Sequence, residues 1–236
     1  MEPKIGIICA GDSELEPFLS CITEPAVSQK AMLTVYEGML CGARVAMLFS
    51  GVCKVNAAVA TQILIDTYHV DAVINAGTAG GMDETVELFD TVISNEVAYH
   101  DVQEDILTEF HPWMPSVFFP ADEGLLSAAH RAAEQVKTPV RFGRMVTGEA
   151  FITDDGREEI NAKLHPLTVD METAAIAHVC YVNRIPFIAV RTVTDTAAHS
   201  GADTFEANCE RASRIARDVT SVLIGEIKAG SPTNDR

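Results

Sequence analysis

Apolar residues fall along this chain in two rhythms. Short unbroken runs, Ile5-Gly6-Ile7-Ile8-Cys9, Asp71-Ala72-Val73-Ile74-Asn75, Leu167 to Val169 and Pro186-Phe187-Ile188-Ala189-Val190-Arg191, have the continuous apolar character of strands covered on both faces. Between them, spacings of three and four residues mark helices, most clearly in Lys54 to Tyr68, where Val55, Ala58, Val59 and Ile63 share one face. The pattern predicts strands near 4–9, 31–38, 43–50, 71–75, 90–98, 140–147, 166–170 and 186–192. Helices are predicted near 13–22, 54–67, 123–136, 156–164, 171–183 and 204–227. Segment 31–50 reads as a hairpin turning at Cys41-Gly42, and the remainder alternates strand with helix. The class is therefore α/β, with a mixed, largely parallel sheet. No internal repeat and no linker divides the 236 residues, which predicts a single domain over 1–228. Residues 229–236, rich in Gly, Ser, Pro and Asn, read as a flexible tail.

Each of the four apolar runs hands over directly to small, acidic or hydroxylated residues: Ala10-Gly11-Asp12-Ser13-Glu14, Ala76-Gly77-Thr78-Ala79-Gly80-Gly81, Asp170-Met171-Glu172 and Thr192-Val193-Thr194-Asp195. Parallel strands joined by right-handed crossovers carry their carboxyl ends to one edge of the sheet, where ligands of open α/β proteins collect. That rule predicts a single crevice holding Glu14, Thr78, Glu172 and Asp195. Glu172 is expected in the first turn of the helix after its strand, favoured by the helix dipole and able to accept hydrogen bonds from a hydroxylated ligand. A helix-capping or turn role is the plain alternative for each acid. Asp12 and Glu16 compete with Glu14 on sequence grounds.

Composition narrows the class of ligand. With 17 basic against 34 acidic residues, a formal charge of −17, the chain offers no basic patch for nucleic acid or an anionic membrane. No apolar run approaches membrane-spanning length, and the first apolar run is too short for a signal-peptide core. Cysteines at 9, 21, 41, 53, 180 and 209 include no Cys-x-x-Cys pair, so structural thiols in a reducing, cytoplasmic setting are expected rather than disulfides or a zinc site. His100 and Asp101 are adjacent but lack further ligands at metal-binding spacing, and no metal is expected.

Six motifs in order carry a resemblance: Ser50-Gly51-Val52-Cys53-Lys54-Val55-Asn56-Ala57-Ala58, Asn75-Ala76-Gly77-Thr78-Ala79-Gly80-Gly81, Tyr99-His100-Asp101, Thr147-Gly148-Glu149-Ala150-Phe151-Ile152, Val169-Asp170-Met171-Glu172 and Arg191-Thr192-Val193-Thr194-Asp195. Together they resemble the series found in 5′-methylthioadenosine/S-adenosylhomocysteine nucleosidases, over about residues 4 to 225. The resemblance implies a nucleoside phosphorylase-like three-layer sandwich around a mixed, partly closed sheet. It also implies a homodimer, no metal or organic cofactor, and a purine nucleoside substrate. Cleaving an N-glycosidic bond requires protonation of the leaving purine and stabilisation of a cationic sugar. By the resemblance, Asp195 is the general acid, Glu14 positions and deprotonates water, and Glu172 binds the ribose hydroxyls. Thr194 orients Asp195, Phe151 stacks on the purine, and the Ile152 backbone reads its edge. Met171 lines the ribose, Thr78 and Gly80 belong to the glycine-rich turn beside the water, and Val52 and Phe205 complete the substrate pocket.

The rival reaction is phosphorolysis. Phosphorylases of the superfamily carry arginines in the loop after the first strand and just before the glycine-rich turn, where phosphate needs bidentate cationic partners. Here those stretches contain none, and acids occupy the first. A futalosine-like or plain adenosine substrate is the alternative among hydrolases, and a non-catalytic nucleoside-binding module is a third reading. The chain departs from the family pattern at Gly11, usually a larger apolar residue, at Cys53, usually glycine, and at Ala198, often an acid. Lys54 reads as a surface charge opening an amphipathic helix. Residues 103–115, which in the family cover the 5′ group across the dimer, bring Phe110 and Trp113 close to Phe118 and Phe119 among several prolines, as subunit-contact loops do.

Overall fold

The computed structural model describes residues 3–153 and 156–230. In chain order its elements are β1 (Lys4–Cys9), α1 (Asp12–Leu19), β2 (Thr23–Lys30), β3 (Leu33–Leu40), β4 (Ala43–Phe49), α2 (Lys54–Asp66), β5 (Ala72–Gly81), β6 (Thr91–Tyr99) and α3 (Ile106–Glu109). They continue with β7 (Phe119–Pro120), α4 (Glu123–Ala133), β8 (Val140–Thr147), α5 (Arg157–Leu164), β9 (Thr168–Asp170), α6 (Thr173–Asn183), β10 (Phe187–Asp195) and α7 (Ala202–Gly230).

β5 organises the sheet. It pairs in parallel with β1 on one side and with β10 on the other, and its last residues also meet β9. From β10 the ladder runs through β6, β8 and β9 and returns to β5, so five strands close on themselves, while β1, β4, β3 and β2 extend outward as an open wing. The sheet is thus mixed and partly closed, as the motifs imply. Closure explains why β5 and β10 are buried along almost their whole length and show no alternation of apolar and polar residues: strands covered on both faces have no solvent side to alternate toward. The β3–β4 hairpin turns at Cys41-Gly42, with Leu40 opposite Ala43.

Helices cover the sheet in two layers. On one side α2 and α6 bury Ala57, Ala60, Leu64, Ala174, Ile176 and Cys180 against it. On the other, α1, α4 and α7 bury Leu15, Phe18, Leu125, Ala129, Val219, Leu223 and Ile224. In α7 the buried positions Cys209, Ala212, Ser213, Ala216, Val219, Thr220, Leu223 and Ile224 form one stripe at three- and four-residue spacing. A fully buried Leu, Ile or Val contributes about 1.5–3 kcal/mol, so this stripe fixes the helix that borders the site. Gly230 closes α7, and residues 231–236 of the expected tail lie outside the described residues. Among the described residues no helix is long and apolar enough to cross a membrane.

Three elements were not expected. β2 is exposed along its whole length and contains Pro25, so it carries neither alternation nor an apolar run to read. β7 has two residues and α3 four, both too short for a periodic signal. The rule of one shared edge also needs correcting at β9, which runs parallel to β8 but antiparallel to β5. Its end reaches the crevice because β5 continues well past the end of its pairing with β1 and meets Val169 at Gly80.

Candidate active site

A cleft of about 220 Å³ opens where β1, β5, β9 and β10 end. Glu14, Val52, Thr78, Gly80, Phe151, Ile152, Met171, Glu172, Thr194, Asp195 and Phe205 all line it, so every site residue expected from sequence is gathered in one place.

Glu14 is buried in the first turn of α1, while its sequence rivals Asp12 and Glu16 face solvent. Its Oε2 accepts the amide of Ala10 at 2.7 Å and that of Gly11 at 3.4 Å. Its Oε1 accepts the amide of Thr78 at 2.6 Å and the Thr78 hydroxyl at 2.8 Å. Two donors come from the loop after β1 and two from β5, so the carboxylate is anchored to both strands. Gly77 makes the approach possible, since a Cβ there would lie 2.4 Å from Oε1.

Glu172 stands one residue before α6 rather than within its first turn, which corrects the sequence expectation. The reason is Asp170, whose Oδ1 accepts the amides of Glu172 and Thr173 at 3.0 and 2.9 Å and thereby caps the helix itself. Freed from capping, Glu172 turns its Oε1 to the amide of Cys53 at 2.9 Å and its Oε2 to Arg191 Nη2 at 3.3 Å. Burial pushes its carboxyl up to about 7, against the pull of Arg191.

Arg191 and Asp170 were not singled out by sequence as site residues. Arg191 is buried on β10 with Asp170 at 3.6 Å and Asn75 Oδ1 at 3.5 Å. Burial works to lower its pKa, but Asp170, Glu14 and Glu172 outweigh that effect and hold it charged. A lone cation inside the apolar run Phe187-Ile188-Ala189-Val190 was the available signal, because a buried charge requires partners.

Asp195 ends β10 beyond a bulge against β5, a device that re-aims a side chain. Thr194 donates its hydroxyl to Oδ1 at 2.8 Å, while the position of a Cβ on Gly80 lies 3.1 Å from Oδ2. Burial raises the Asp195 carboxyl above the ordinary aspartate range; the Thr194 bond and the nearby Arg157 guanidinium oppose that rise. Phe151 is 43% exposed and meets Phe205 edge-on at 6.1 Å, so it belongs to the wall of the cleft rather than to the core. Lys54 is not a free surface charge: its ammonium contacts both oxygens of Asp101.

Cys53 holds the backbone at φ 82°, ψ 163°, a region that is essentially glycine's. The strain aims its amide at Glu172. Such a conformation costs about 1–3 kcal/mol in a residue with a side chain, and glycine returns part of this as chain entropy. Cys53→Gly should therefore stabilise the fold by about 1 kcal/mol, a rise of about 2–4 °C in a thermal melt. An unchanged or lower Tm would show that the strain is relieved by contacts of the thiol.

A family model described as the phosphorylase superfamily matches residues 4–224, and this defines the class: an α/β protein of the phosphorylase superfamily. The 5′-methylthioadenosine/S-adenosylhomocysteine nucleosidase of Psychromonas ingrahamii is 37% identical over 233 residues, covering 95% of this chain and 97% of its own. The crystal structure of the Colwellia psychrerythraea nucleosidase in complex with adenine superposes with a TM-score of 0.88 at 32% identity, covering 96% of each chain. That of Neisseria meningitidis in complex with methylthio-immucillin-A gives 0.86 at 31%, covering 94% of this chain and 98% of its own. Within the superfamily, the chain belongs to the 5′-methylthioadenosine/S-adenosylhomocysteine nucleosidases.

Proposed function

We propose that this chain hydrolyses the N-glycosidic bond of 5′-methylthioadenosine and S-adenosylhomocysteine, releasing adenine. The observation that carries the reading is the convergence of Glu14, Glu172 and Asp195 in one cleft, each held by different donors. Asp195 protonates the purine as it leaves, with Thr194 holding Oδ1 and Oδ2 turned to the base. Glu14 binds the attacking water and takes its proton. Glu172 receives the ribose hydroxyls, and its negative charge faces the cationic sugar of the transition state. Phe151 and Phe205 wall the purine and the 5′ side, and Val52 and Met171 add apolar surface suited to a thioether.

Phosphorolysis fits less well. Among the described lining residues Arg191 is the one cation, and Glu172 and Asp170 already face it. A phosphate dianion entering beside Glu14 would meet a carboxylate where it needs a donor. Purified protein should therefore release adenine from methylthioadenosine and S-adenosylhomocysteine at equal rates with and without phosphate. Release only with phosphate would make the chain a phosphorylase. Release confined to futalosine or adenosine would move the substrate, and no release would favour a binding role.

The same reading includes a homodimer in the cytoplasm, serving methionine salvage. Val55 and Val59 on α2 and Tyr181 and Val182 on the adjacent α6 present apolar surface outward. Phe110 and Trp113 are 60% and 66% exposed, away from the chain's own cleft. They suit a loop that closes the cleft of a partner. A single-chain sedimentation mass for the active preparation would exclude this assembly. The six cysteines are free thiols, which suits a reducing compartment.

A further inference from the structure

Tyr99-His100-Asp101, at the end of β6, is a motif for which the reaction above supplies no role. Asp101 accepts hydrogen bonds from two separate segments beside the cleft, the start of α2 and the loop after β8. Its Oδ1 and Oδ2 take the Lys54 ammonium at 2.8 and 2.9 Å, and Oδ2 also takes the amide of Glu149 at 2.9 Å. Lys54 follows Cys53, whose amide holds Glu172 on the ribose side. Glu149 precedes Phe151 by two residues, on the purine side. Lys54 also lies 3.8 Å from Glu149 Oε1 and 5.3 Å from the centre of the Tyr99 ring. The anchoring segment is itself pressed into place: the His100 amide bonds to Thr147 O at 3.0 Å, and Gly148 leaves room for the His100 ring. A Cβ on Gly148 would lie 2.2 Å from His100 Nε2.

We propose that Asp101, acting through Lys54 at the start of α2, is a positioning residue that sets the distance between the purine-side loop 148–152 and the ribose-side turn 51–53 that leads into α2. The inference rests on the nucleosidase reading. A nucleoside spans both loops, and its base and sugar are joined by the bond to be broken, so the two walls must agree in position to a fraction of an ångström. Adenine alone touches the purine side and is indifferent to where the ribose side stands. Lys54 and Asp101 are 20% and 28% exposed at the side chain, and a pair this close to solvent adds little to folding. Its consequence lies in registration of the loops.

Lys54→Met severs the link between the loops while leaving Glu149 on Asp101 and Cys53 on Glu172. We expect kcat/KM for methylthioadenosine to fall about ten-fold, since a 1 Å misplacement costs about 100-fold and the remaining anchors limit the drift. The inhibition constant of adenine should change less than about two-fold, the Tm should move little, and Lys54→Arg should restore most of the loss through a bidentate pair. Wild-type kcat/KM in Lys54→Met, equal weakening of nucleoside and adenine, or failure of Lys54→Arg to restore would each overturn the proposal. Asp101→Asn, which keeps an acceptor for Glu149 but loses the charge, should behave as Lys54→Met does. If the wild-type protein releases no adenine, the nucleosidase reading fails on its own. Calorimetric affinities of methylthioadenosine and adenine for the two proteins then decide whether the loops are coupled.

Discussion

Replacing Asp195 with asparagine is expected to lower adenine release about a thousand-fold at saturating methylthioadenosine, with substrate affinity nearly unchanged. A purine leaves poorly as an anion, and a positioned acid supplies about 100- to 10,000-fold by protonating it in the transition state. Asparagine keeps the shape and can still accept the Thr194 hydroxyl at the place of Oδ1. It can also donate a hydrogen bond to the base, yet it has no proton to give up. Binding and chemistry should therefore separate. Because burial raises the Asp195 carboxyl, the wild-type site holds more of its acid form near neutrality than an exposed aspartate would.

The pH dependence carries the second half of this prediction. Glu172 has been pushed up to about 7 by burial, so its ionised form, the better acceptor for two hydroxyls, fills as the pH rises through neutrality. The KM for methylthioadenosine should fall between about pH 6 and 8, and in Asp195→Asn the affinity should keep that trend while the rate stays low. Steady-state kinetics of both proteins across this range is the measurement. A mutant retaining more than about a tenth of the wild-type rate would remove Asp195 from the acid's role, and another proton donor would have to be sought.

How far the site could be read in advance differs from residue to residue, for physical reasons. The apolar cores of β1, β5 and β10 were legible because strands buried on both faces write themselves as continuous apolar runs. But β5 continues as strand to Gly81 through the residues read as a glycine-rich turn, and β10 continues to Asp195, because small and hydroxylated residues in a covered strand look like a turn in sequence. Choosing Glu14 over Asp12 and Glu16 was beyond local pattern, since all three fit the start of a helix. The resemblance selected position 14, and the fold gives the physical reason: it turns inward to Thr78 while its neighbours face water. Glu172 was expected in the cleft and lies there, but helix geometry hid its place relative to the start of α6. Two acids compete for one N-terminus there, and the winner, Asp170, is decided by Thr147 and Thr173, which reach it from β8 and from the helix itself. Arg191 was visible as an oddity, but its meaning depends on three carboxylates scattered over nearly the whole chain. β2 left no trace because neither of its faces is covered.

The other large effect concerns a residue with no side chain. Gly77→Ala should cost about 100-fold or more in kcat/KM while leaving the protein folded, because the added methyl group falls on the carboxylate of Glu14 rather than on backbone. The Cβ position lies 2.4, 2.5 and 2.5 Å from Oε1, Cδ and Oε2, closer than side-chain atoms approach one another. Gly77 lies within a regular strand, in parallel register with Arg191 on β10, so alanine is acceptable to the backbone there and the nearest conflict is with Glu14. The carboxylate must swing away, abandoning the Thr78 amide and hydroxyl, and with them the place at which it would hold water. The decisive experiment is the pair with Glu14→Gln. If Gly77 acts only by making room for that side chain's charge in its proper place, the double variant should be no slower than Glu14→Gln alone, since residues serving one step are not additive. Losses that multiply would mean that the methyl group harms the cleft by a second route, through Thr78 or the strand itself. Gly77 would then be a requirement of the fold and not of the Glu14 carboxylate.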